Sequence, residues 1–161
     1  MKILHLPGLA ALPLIVLLAP LSCSAPEEGE EETLQDVTPH EVLVTDFSTL
    51  VDREWKLVNL CGERIPEDAG VSLVFLEDDR VAGSASVNRY NGSFRSTDAG
   101  IEAGPMASTR MAGPPEAMER EQKYLAALAD AKSVSLIGGD VLVIAVENQE
   151  LPLRFEAAET P

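Results

Sequence analysis

Histidine and cysteine are almost missing from this chain. Two of each occur in 161 residues, and only His40 and Cys61 lie beyond position 23. That scarcity leaves no Ser/His/Asp set for acyl transfer, no His/Cys spacing for a zinc site, and no second thiol to pair with Cys61 inside a domain. Positive charge is scarce too: 12 Lys and Arg stand against 27 Asp and Glu, a net charge of −15. A nucleic-acid reader needs a basic stripe to neutralise phosphates, and peripheral attachment to anionic lipid needs charge of the same sign. Neither fits this balance, so no nucleic-acid partner is expected. The sequence has no Gly-x-x-x-x-Gly-Lys phosphate loop, and no cofactor is implied. It also lacks the unbroken run of about 20 apolar residues that a membrane-spanning helix requires, because Pro7, Pro13 and Pro20 interrupt the apolar stretch Ile3 to Leu21. The acid pair Asp78-Asp79 falls in a turn, where solvation accounts for it.

What is present begins with a secretory signal over residues 1–22. Lys2 is the only charge before Glu27, an apolar middle follows, and small residues come after it. Leu21-Ser22-Cys23 resembles a lipobox, in which Cys23 becomes the lipidated first residue of a bacterial lipoprotein. Pro20 stands where Leu is usual, and Leu21 where a small residue is usual. Cleavage after Ala25 is the alternative and would release a soluble periplasmic protein. A cysteine placed just after the apolar run has no other evident use, so lipidation is the expected fate; two or more acyl chains would hold the protein stably on a membrane. Ser24, rather than Asp, resembles the pattern of lipoproteins sent on to the outer membrane, with the periplasmic face expected. Residues 23–53 then form a lipid-anchored acidic tether. Glu27, Glu28, Glu30, Glu31, Glu32 and Asp36 repel one another and cannot bury a core.

Residues 54–156 read as a domain and 157–161 as a tail. Glu54–Leu60 alternates, with Trp55, Leu57 and Asn59 on one side. Val71–Leu76 is rich in β formers, and across the Glu77-Asp78-Asp79 turn Arg80–Ser86 returns as a hairpin. Asn91-Gly92 is a turn signal, with short strands at 93–96 and 100–104 after it. One helix begins at Pro114-Pro115, with Met118, Leu125, Leu128 and Ala129 as its apolar stripe and Tyr124 on the margin. Strands at 133–137, 141–146 and 151–155 close the domain, the first two joined through Gly138-Gly139. Val42–Val44 and Phe47 supply an edge strand or pack loosely. Sequential hairpins around one helix predict a mainly β fold, α+β by strict count. The expected form is a small antiparallel β-barrel or a curled sheet of about seven or eight short strands with one covering helix.

Two segments in mid-chain carry a family resemblance. Gly83, Asn88 and Gly92 fit a Gly-x-x-Gly-Cys-Asn-x-x-x-Gly turn, and Thr109, Met111 and Ala112 fit a Thr-x-Met-Ala-Cys segment. With Trp55 and Leu57 before them, Glu121 and Leu128 in the helix, and Leu142 and Phe155 near the end, this resembles the META domain (HslJ-like) family. Ser86 stands where the second glycine is usual, and Val87 and Gly113 stand where that family has cysteines. The chain is thus a cysteine-less variant of both motifs, and Val87 and Gly113 are expected to lie side by side. The candidate binding residues are Asn88, Arg89, Tyr90 and Glu121. Each also has a structural reading: Asn88 bonding main chain in a turn, Tyr90 packing, and Glu121 paired with Arg110 or exposed at the stripe's edge. The resemblance implies no established reaction and a link to stress or antibiotic tolerance; with the signal and lipobox, the reading is a non-enzymatic cell-envelope lipoprotein with a structural or binding role. A small-barrel binding protein for an apolar ligand or peptide, acting as an inhibitor or pilot for an envelope partner, is the alternative.

Overall fold

The computed structural model describes residues 40–158. The expected signal peptide, Cys23 and the acidic run after it lie outside the described residues. The elements are β1 (Glu41–Leu43), the 3-10 turn η1 (Phe47–Leu50), β2 (Glu54–Leu60), β3 (Glu63–Arg64), the 3-10 turn η2 (Glu67–Ala69), β4 (Ser72–Leu76), β5 (Arg80–Ser84), β6 (Arg89–Thr97), β7 (Gly100–Ala103), β8 (Ala107–Ser108), α1 (Pro115–Ala129), β9 (Ala131–Ile137), β10 (Val141–Val146) and β11 (Leu153–Ala157). Every strand ladder is antiparallel, and all eleven strands join one sheet in the order β1-β9-β10-β11-β2-β4-β5-β6-β7, with β3 on β2 and β8 on β6. No helix among the described residues is long and apolar enough to cross a membrane.

The sheet curls but does not close, so the barrel alternative is set aside. Its path ends at β1 and β7. The backbones of Gly100 and Lys132 come close, yet no ladder forms there, and β1 takes the outer edge of β9 from Ser135 to Ile137. Eleven strands replace the expected seven or eight because β3 and β8 are two-residue fragments and β1 adds an edge. β1 and η1 precede residue 54 and belong to the folded unit: Phe47 packs on Phe75 and Phe94, with ring centroids 5.1 and 5.8 Å away.

Two local readings change. Asn91-Gly92 makes no turn, because β6 runs through both, with Ala82 and Val81 opposite them on β5. The chain reverses instead at Ser86–Asn88, closed by Ala85 N–H donating to the Asn88 carbonyl at 2.7 Å. In β2, Trp55 and Leu57 face inward as expected, but a register shift opposite Arg154/Phe155 turns Leu60, rather than Asn59, into the core. Such a bulge adds one residue and swaps the faces beyond it.

The helix covers the inner face. Its buried residues are Glu121, Tyr124, Ala127 and Leu128, so Tyr124 sits at the centre of the stripe, while Ala129 is exposed. Tyr124 stacks edge-on against Tyr90 and Phe155, with centroids at 5.6 and 6.3 Å. Trp55, Leu73, Phe94, Leu128, Val134, Leu142, Ile144 and Phe155 are fully buried around them. Each such side chain contributes about 1.5–3 kcal/mol through burial, so the interior is a packed core.

Candidate functional site

The mid-chain segment folds into a corner where three stretches of chain meet on Asn88, which is 1% exposed. Its backbone N–H donates to Glu121 Oε2 at 2.9 Å, and its Nδ2 donates to Oε1 and Oε2 at 2.9 and 3.2 Å. Nδ2 also donates to the Met111 carbonyl at 3.1 Å. The Asn88 Oδ1 accepts from Met111 N–H and from Thr109 Oγ1, each at 2.7 Å. One carboxamide therefore ties the β5–β6 turn to the segment before α1 and to the helix itself. Glu121 is buried, and its carboxylate is met by neutral donors rather than by Arg110. A buried carboxylate is tolerable when hydrogen bonds replace its water.

The neighbouring candidates divide. Tyr90 is buried; its hydroxyl donates to the Ser72 carbonyl at 3.0 Å and lies 2.6 Å from the Tyr124 hydroxyl. Burial pushes both phenols well above the usual tyrosine range, and at Tyr124 the Tyr90 neighbour adds to it. Their ionisation is raised in the folded state, so the stability this gives is complete below pH ~10 and is lost as pH rises through the folded values. Tyrosinate absorption is expected to appear only together with unfolding for these two residues. Ionisation of both in a still-folded protein, seen by circular dichroism, is the opposite outcome. Arg89 is exposed and only its backbone takes part, its N–H donating to Thr109 Oγ1 at 3.2 Å.

The departures from the family motif have a physical reading. Ser86 holds φ at 98°, a region natural to glycine and costly for other residues. Its hydroxyl accepts from Arg120 at 3.2 Å. Ser86→Gly is expected to raise stability by about 1 kcal/mol despite losing that bond, measured by urea unfolding. Val87 and Gly113 do lie side by side: a Cβ built on Gly113 would sit 3.3 Å from the Val87 Cβ and 2.5 Å from its Cγ2. Two Cβ atoms of a disulfide stand at a similar separation, about 3.5–4.5 Å. Val87→Cys together with Gly113→Cys is therefore expected to oxidise spontaneously and add about 3 kcal/mol, read as a reductant-sensitive shift in melting temperature.

Every polar side-chain atom of Asn88 and Glu121 is engaged inside the protein, so this corner braces the fold. Open surface lies elsewhere. Where β4 diverges from β2 after Leu57 N–H bonds the Val71 carbonyl, a groove of about 1200 Å³ runs along β2 and β11. Lys56, Arg64, Arg154, Glu54, Glu67 and Glu156 stand on its walls. No motif or spacing marks these residues, since each is an ordinary polar position on an outward face.

An open, curled antiparallel sheet, capped by one helix and braced by a buried Asn–Glu corner, defines the class. A sequence profile of the META domain matches residues 48–159, and the chain belongs to that family. Two solved structures share the fold. One, determined by NMR, is 22% identical with a TM-score of 0.56, covering 70% of this chain and 95% of that one. The other, an NMR structure of a protein from Burkholderia xenovorans, is 23% identical with a TM-score of 0.55, covering 69% and 85%. A comparison with curated proteins finds no match.

Proposed function

We propose that this chain is a non-enzymatic binding module, held at a bacterial cell envelope by a lipid on Cys23 and acting in tolerance of heat or antibiotics. One observation carries the non-enzymatic part. The polar residues that look most like a site, Asn88 and Glu121, bond each other and the main chain, leaving neither free to meet a substrate. The envelope part rests on the sequence before Pro26, and the stress link on what the META resemblance implies. Two assays test the proposal together. A fatty-acid analogue should label the wild-type chain and not the Cys23→Ala variant. A deletion strain should lose tolerance to heat or antibiotic, regained with the wild-type chain and not with Cys23→Ala. Equal labelling of both chains removes the anchor, and an unaffected deletion strain removes the stress role.

One feature favours a peptide over an apolar ligand within this reading. The core is filled, and the groove along β2 carries cations and carboxylates together. An extended peptide offers both charges and free main-chain groups to such a wall.

A further inference from the structure

Met111 is 55% exposed, yet it is not loose. Its N–H and carbonyl are both held by the Asn88 carboxamide, at 2.7 and 3.1 Å, so the backbone is fixed and the thioether is presented outward. Three arginines belong to the segments that meet beside this knob. Arg110 precedes it, Arg89 is brought alongside by Thr109 N–H bonding its carbonyl at 3.0 Å, and Arg120 reaches in to Ser86. None of the three forms an ion pair among the described residues, in a chain of net charge −15.

Farther along β6 lies a hollow of about 370 Å³, where half-buried Phe47 covers the buried rings of Phe75 and Phe94, and Asp46, Glu77, Asp78 and Asp79 outnumber the one cation, Arg80, around it. We propose that the Met111 knob of one molecule seats in the Phe47 hollow of a second copy. Thioether sulfur packs favourably on an aromatic ring such as that of Phe47, and guanidinium–carboxylate pairs would ring the contact. Five residues of strand separate Arg89 from Phe94, about 17 Å, so a molecule does not fill its own hollow. The contact joins unlike surfaces head to tail, and it either closes a ring or propagates. Its small area makes it weak, and at physiological salt the repulsion between two acidic chains is screened beyond about 8 Å.

The test uses the full chain as the cell produces it, purified in mild detergent, with sedimentation velocity over rising concentration. Met111→Glu removes the knob, and Ser48→Arg blocks the hollow's mouth. Both positions are exposed, so both variants should fold, which circular dichroism checks. The wild-type mass average should climb by about twofold or more at high micromolar concentration, and each variant alone should stay monomeric. Mixed in equal amounts, the two variants should associate again but stop at a pair, because only one intact knob meets one intact hollow. A wild-type chain that stays monomeric overturns the proposal. So does a variant that associates like wild type, or a mixture that fails to pair.

Discussion

Replacing Asn88 with alanine is expected to lower stability by about 3–5 kcal/mol, the largest single effect foreseen in this domain. The loss is not one hydrogen bond. It strips the Glu121 carboxylate of its side-chain donor and leaves both main-chain groups of Met111 and the Thr109 hydroxyl without their shared partner. Urea unfolding of the variant measures it; a cost under about 1 kcal/mol would mean that water replaces the brace. Asn88→Asp sharpens the reading. It keeps the shape, removes the Nδ2 donor and sets a second carboxylate against Glu121. Two carboxylates in one buried site repel unless they share a proton. The deficit should therefore be greatest at neutral pH and shrink as pH falls into the carboxylate range, more steeply than that of the alanine variant, which buries one carboxylate there instead of two.

Gly83→Ala is expected to cost about 3 kcal/mol. A Cβ at this position would run into the carbonyl oxygen of Ser72 on β4 and would lie 3.0 Å from the Tyr90 hydroxyl. That carbonyl already accepts from Tyr90, so moving it also disturbs the tyrosine pair. The obstruction is backbone in a packed sheet and cannot swing aside. Gly92→Ala makes a useful contrast, because its first obstacle is the Met106 thioether, the far end of a flexible side chain. Thermal melts of the two variants should separate clearly, with Gly83→Ala lower. Equal melting temperatures would show that β4 yields at Ser72.

Much of the fold was legible where local chemistry and tertiary context agree. Gly138-Gly139 adopts positive φ at both residues and joins β9 to β10 as the turn signal indicates. The proline start of α1 is likewise found, with Pro115 its first residue. The misread positions are those where a distant neighbour decides. Asn91-Gly92 has the chemistry of a turn, but Ala82 on β5 and Ala107 on β8 hold Asn91 in a ladder. The inward alternation of Tyr90, Gly92 and Phe94 was the signal for a strand there. Glu121 was visible as a carboxylate in an apolar stripe, whereas its partner lay 33 residues back and no spacing rule reaches that far. The bulge that turns Leu60 inward is set by β11, nearly a hundred residues later in the chain.

The contact between Val87 and Gly113 has a consequence for how the protein matures. Methyl groups fill that place, and Cys61, half-buried, is the one thiol among the described residues. The domain therefore reaches its final packing without an oxidation step. It requires no thiol oxidase or disulfide isomerase, and its stability should be the same in reducing and oxidising surroundings.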